Sequence, residues 1–72
     1  MGHLLNRLRQ ASPAHRVETT GEGFVIVRRD GFEQAFNDLA RTAINGDDTD
    51  FVAFPVSDGG LGYERVVILP IG

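Results

Sequence analysis

The sequence has no cysteine, no lysine and no tryptophan among its 72 residues. Without cysteine the chain can form neither a disulfide nor a thiolate metal site, the two usual supports of small secreted domains. The chain has no apolar run near the roughly 20 residues of a membrane-spanning helix. The first twelve residues lack the apolar core of a signal peptide. We therefore expect a cytoplasmic protein that makes no membrane contact.

The composition, 42% hydrophobic and 24% charged, is typical of a globular domain. A chain this short forms one domain with a thin core. Its net charge of −3 is unevenly spread. Residues 1–29 hold five arginines against two glutamates, whereas residues 30–72 hold two arginines against eight acids. This asymmetry favours a charged partner or self-association.

The spacing of apolar residues predicts two helices and three strands. Leucines on one face of residues 3–10 indicate a short helix, and residues 11–22 are interpreted as a connector. The longer helix follows Asp30, a predicted N-cap whose capping-box partner is Glu33, and it stops in a left-handed turn at Asn45–Gly46. The predicted helices are residues 3–10 and 31–45, and the predicted strands are residues 23–29, 51–56 and 63–69.

Pro55 decides the predicted order of the strands. Proline has no N–H to donate, so the middle strand of the sequence belongs at an edge of the sheet. The last strand then lies in the centre, and the order is 1-3-2. The predicted fold is α+β: a three-stranded mixed sheet packed on one long amphipathic helix, with a short N-terminal helix. Residues 1–22 would be an N-terminal helix and connector, and 23–72 a compact β-α-β-β domain.

The last strand is apolar on both faces, and one long helix covers only one of them. Either the N-terminal leucines or a second copy of the chain would cover the other. The candidate association face comprises Leu4, Leu5, Leu8, Val67 and Leu69.

A second candidate site follows from the predicted topology. The first two strands run parallel, so their C-terminal ends share one edge of the sheet, roughly 10 Å apart. The residues leaving these ends are Arg28, Arg29, Asp30, Ser57 and Asp58. Two arginines near a helix N-terminus favour an anion or partner site here.

The sequence shows no catalytic or metal-binding pattern. His3 and His15 have no carboxylate at helical spacing, and we interpret both as exposed surface residues. Residues 45–56 fail the calcium-loop pattern, because Asp50 and Val56 stand where glycine and glutamate are needed. We therefore expect no enzyme activity, metal or cofactor.

Few aromatic side chains are predicted to be exposed for stacking with nucleic-acid bases. Phe24, Phe51 and Phe54 lie in strands and are assigned to the core, which leaves Tyr63 available for stacking. The sequence thus favours a non-catalytic protein that acts by macromolecular binding or self-association, with a protein partner or a homodimer. The alternative is a nucleic-acid or nucleoprotein accessory factor, of phage or mobile-element type, that uses the basic N-terminal third.

Overall fold

The computed structural model describes residues 3–10, 12–46, 50–60 and 62–71, with the side chain of His3 excepted. The predicted polar loop at residues 47–50 lies, apart from Asp50, outside the described residues, and so does Leu61 of the glycine-rich turn.

Two helices and four strands make up the described chain, and the α+β class is confirmed. The four strands form one antiparallel sheet in the order β1-β2-β4-β3. In chain order the elements are α1 (His3–Arg9), β1 (His15–Thr19), β2 (Phe24–Arg28), α2 (Glu33–Asn45), β3 (Phe51–Ser57) and β4 (Tyr63–Pro70).

The predicted three-stranded mixed sheet with order 1-3-2 is wrong, because the predicted connector contains β1. This strand pairs with β2 across the expected domain boundary at residue 22. Its sequence HRVET has one aliphatic residue, Val17, so the alternation of buried and exposed positions is hidden among polar side chains. The sheet is not mixed, since β4 separates the parallel strands β2 and β3.

Pro55 lies in the edge strand β3, at a position where no backbone N–H is needed to pair with β4. The N–H of Ile71 donates to the carbonyl of Asp50 at 2.8 Å. Backbone groups alternate in direction along a strand, so the N–H and C=O groups of the odd-numbered residues of β3 point away from β4. The missing N–H of Pro55 faces outward, where it costs no ladder bond and blocks pairing at that edge.

Both helices pack on the same face of the sheet. Leu8 of α1 and Phe36 of α2 are fully buried in one cluster with Ile26 and Ile68 of the central strands. We call this the helix-covered face. Its remaining buried apolar members are Phe24, Ala40, Ala43, Phe51 and Val66.

Helix α2 begins and ends differently from the expectation. It starts at Glu33, two residues later than predicted, with Phe32 at the N-cap position and no side-chain cap. Asp30 is therefore not the cap: a turn with Gly31 at φ +91° intervenes, and the Gly31 N–H donates to Glu33 Oε2 at 2.9 Å. At the other end Gly46 is extended, with φ −74°, and not left-handed.

Candidate functional site

Arg28 and Asp58 meet at the end of the sheet where β2 and β3 finish. Arg28 Nη1 donates to Asp58 Oδ2 at 2.8 Å and lies 3.4 Å from the carbonyl oxygen of Tyr63. Both charged side chains are about one quarter exposed, at 23% and 25%. The contact joins β2 to the β3–β4 turn, thirty residues away in sequence. Arg28 therefore ties two distant segments together.

The β3–β4 turn is organised around Asp58. Its Oδ1 accepts the Gly60 N–H at 2.8 Å, and its backbone N–H donates to the carbonyl of Gly62 at 3.2 Å. The hydrogen bond from the Gly60 N–H, and to a smaller extent the one from Arg28, hold the pKa of Asp58 below its usual range. On the other side of the turn the Tyr63 N–H donates to Asn37 Oδ1 of α2 at 3.1 Å. These bonds give Asp58 a structural role.

An open depression of about 420 Å³ lies beside this network, where β1 begins and β2 ends. We call it the arginine-lined depression. Its lining consists of His15, Arg16, Arg28, Arg29 and Asp30. Three of the five lining residues are arginines and one is an aspartate, so the depression has a basic lining.

His15 is buried, at 2% exposure, and the interpretation of an exposed histidine is wrong. Its Nδ1 lies 2.8 Å from Ser12 Oγ, which also accepts the Ala14 N–H at 3.2 Å. Burial lowers the pKa of His15, and the backbone carbonyls of Leu8 and Gln10 offset this in part. His15 is therefore buried next to the C-terminal end of α1 and bound to the turn that leads into β1.

The Ser12–His15 contact has some geometry of a nucleophile and its base. A working pair needs a third group that orients the imidazole through its other nitrogen. Among the described residues, His15 Nε2 is buried and makes no hydrogen bond. The imidazole is also closed to solvent. The contact is better explained as a local bond that shapes the entry to β1.

The opposite side of the sheet, which we call the open face, carries no helix from the described chain. The strand registers place its side chains in rows across the sheet. One row runs Glu18, Val25, Val67, Phe54 from β1 to β3. The adjacent rows are Arg16, Val27, Arg65, Val56 on one side, and Leu69 and Val52 on the other.

Phe54 is the largest apolar group on the open face and is 49% exposed, and Val52 is 39% exposed. The assignment of Phe54 to the core is wrong, because Phe51 and Ala53 alternate onto the helix-covered face and turn Phe54 outward. Tyr63, expected to be available, is partly buried against the core. The sequence held no clear signal for this position, because Phe54 shares its side of β3 with the apolar residues Val52 and Val56.

The five residues of the predicted association face do not form one surface. Leu8 is fully buried under the helices, and Leu4 and Leu5 pack against the same core. Val67 and Leu69 alternate with buried Val66 and Ile68, so they point to the open face. The N-terminal leucines therefore do not cover the second face of the sheet.

The five residues of the predicted anion site are brought together only in part. Arg28 and Asp58 bind each other, and Arg29 and Asp30 line the arginine-lined depression with Arg28. Ser57 Oγ instead accepts the Gly59 N–H at 3.1 Å within the β3–β4 turn. Sequence reasoning missed His15 and Arg16, because the strand that carries them was read as a connector.

Three searches of the chain found nothing. Within its described ranges, no three or more His, Asp or Glu side chains come together in a metal-binding group. No helix among the same residues has the length and hydropathy needed to cross a membrane. Comparison with protein-family models, curated proteins and solved structures gives no significant match.

Proposed function

We propose that this protein is a non-catalytic binding protein that acts by self-association, with the open face as the interface between two copies. One observation carries the proposal: both described helices lie on the helix-covered face. Seven apolar side chains on the other side of the sheet have no covering layer from the residues that the structure describes. They are Val25, Val27, Val52, Phe54, Val56, Val67 and Leu69.

The flat outline of the open face is smaller than a stable dimer interface requires, so its size fits a weak dimer. Four strands about 4.8 Å apart span about 19 Å and five residues of strand span about 17 Å, which gives about 320 Å². A specific interface needs about 1,000 Å² in total, or about 500 Å² from each copy. That is about one tenth of the chain's 4750 Å² of accessible surface. Stacked sheets pack about 10 Å apart, the arrangement of a β-sandwich.

Phe54 makes the largest single contribution that the open face offers. A phenylalanine buries about 200 Å², so covering the exposed half removes about 100 Å² from water, or about 2.5 kcal/mol for each copy. Two copies of Phe54 together contribute about 5 kcal/mol. The aromatic ring is thus the anchor at which substitution is most informative.

The charges at the β1 edge fit a second copy of the same chain. Arg16 and Glu18 lie side by side there, 2.7 Å apart, and both are more than half exposed. A two-fold axis across the strands places Arg16 of one copy over the partner's Glu18, and the reverse. The same axis lays Phe54 over the partner's Val56. A two-fold interface needs such self-complementary groups.

Nucleic-acid binding has less support from the same surface. Phe54 is the one aromatic residue of the open face, whereas sheets that bind RNA stack two or three bases on aromatic side chains. The net charge of −3 opposes the electrostatic attraction to phosphate that dominates such binding. Self-association uses all seven apolar residues and is the better-supported function.

Sedimentation equilibrium over a range of protein concentrations tests the proposal. We expect a monomer–dimer equilibrium that Phe54→Asp weakens more than about a thousandfold, from the loss of about 5 kcal/mol. The matched control is Phe32→Asp, since Phe32 is 41% exposed but lies at the start of α2, off the open face.

Circular dichroism identifies any variant that fails to fold, and Phe54→Ser then replaces Phe54→Asp. A wild-type chain that stays monomeric up to millimolar concentration would contradict the proposal. An equal loss of association in Phe32→Asp and Phe54→Asp would contradict the choice of the open face.

A further inference from the structure

We infer that the arginine-lined depression is a binding site for a phosphate group, with Arg29 and Arg16 as its ligands. The inference shares Arg16 with the proposed dimer interface, where this residue would lie over the partner's Glu18, so the test below separates the two. It concerns the end of the sheet where β1 begins and β2 ends, and it rests on which of the three guanidinium groups is free to bind.

Arg29 has no assigned partner within the described chain. Its side chain is exposed and makes no hydrogen bond or ion pair there, although its backbone N–H donates to the carbonyl of Ala14 at 3.3 Å. That backbone bond fixes the residue at the rim of the depression. The backbone of Arg29 is therefore fixed at the rim, and its guanidinium has no partner among the described residues.

Arg16 is available at small cost. Its ion pair with Glu18 is exposed on both sides, at 65% and 52%. Pairs of this kind contribute about 0–1 kcal/mol, because water screens them and two long side chains lose freedom. Arg28, by contrast, is bound to Asp58 and to the β3–β4 turn, so we assign it a structural role.

The sheet register brings Arg16 and Arg29 within reach of one ligand. Arg29 lies opposite Ala14, and Arg16 is two residues further along β1, so the two are diagonal neighbours on the same side of the sheet. Diagonal Cβ atoms are about 7 Å apart, a distance that two arginine side chains bridge easily. Each guanidinium can offer two parallel N–H donors to phosphate oxygens.

Asp30 sets the expected strength of the site. Asp30 lines the same depression, and its negative charge repels an anion held between the arginines. The site is also open to solvent, so we expect millimolar affinity for a small phosphate. Removal of this carboxylate should tighten binding, and a surface that attracts anions only through its overall charge would show no such local dependence.

The test is an NMR titration with inorganic phosphate, pyrophosphate and a short oligothymidylate in separate arms at constant ionic strength. We expect the amide signals of Arg16 and Arg29 to shift and saturate. Arg29→Gln should weaken binding at least about tenfold, and Asp30→Asn should tighten it. Arg41→Gln, which removes an exposed arginine of α2, is the matched control and should change nothing.

Saturation by phosphate or pyrophosphate would identify a free phosphate compound as the ligand. Saturation by the oligonucleotide alone, with the same dependence on Arg29, would identify the phosphates of a nucleic-acid backbone. Shifts that never saturate, or equal effects of Arg29→Gln and Arg41→Gln, would refute the site. Phe54→Asp, which keeps the chain monomeric and leaves Arg16 uncovered, should bind phosphate at least as tightly as the wild type, so the outcome is separable from that of self-association.

Discussion

The substitution Leu8→Ala measures how much the packing of α1 on the core contributes to the free energy of unfolding. Leu8 is fully buried in one cluster with residues of β2, α2 and β4. Leucine-to-alanine changes at such positions cost about 2–5 kcal/mol, from lost burial and the cavity left behind. A domain of 72 residues is stabilised by about 4–11 kcal/mol in total. The substitution should therefore remove a large share of the free energy of unfolding.

Urea and thermal unfolding, followed by circular dichroism, provide the measurement. A loss of 2 kcal/mol corresponds to a fall in Tm of at least about 8 °C for a domain of this size. Protein concentration must be held constant, because self-association adds to apparent stability. Arg7→Ala, an exposed change in the same helix, should stay within about 0.5 kcal/mol of wild type. A Leu8→Ala variant as stable as Arg7→Ala would refute the docking of α1.

Two further predictions concern β1 and its connection to β2. Because burial lowers the pKa of His15 below 6.5 in the folded chain, the unfolded chain takes up the proton first. The urea midpoint should fall as the pH drops through 6.5, and less steeply in His15→Gln. A methyl group at Gly23 would overlap the carbonyl oxygen of Ile68, whereas one at Gly21 would meet nothing. Gly23→Ala should thus cost about 1–3 kcal/mol by unfolding assays, and Gly21→Ala far less.

Amphipathic periodicity and proline placement could be read from the sequence because each rests on local chemistry. The apolar spacing of α2 follows from one helix packing on one surface. The edge position of β3 follows from the missing N–H of Pro55. By contrast, β1 was hidden because an edge strand with one exposed side needs few apolar residues. In HRVET the inward positions are filled by His15, Val17 and Thr19, of which one is aliphatic.

The candidate sites were harder to predict because they depend on the side of the sheet to which each side chain points. Strand β3 is apolar on both sides, so periodicity alone does not say whether Phe54 or Phe51 points inward. The neighbouring helix decides this in three dimensions. Likewise, topology predicted that Arg28 and Asp58 share one edge of the sheet, but their ion pair was not predicted, and the place of Arg16 beside Arg29 depended on the strand that was missed.

The connections between the strands explain why one face of the sheet is left without a covering layer. Strands β2 and β3 are parallel and separated by β4, so the chain must cross over the sheet between them, and α2 is that crossover. Right-handed crossovers are the rule, which commits α2 to one side. A short turn at Ser12–His15 connects α1 to β1, and Leu8 of α1 is buried in the same cluster as residues of α2. Both described helices are thereby committed to one side, which is why the proposed self-association uses the open face.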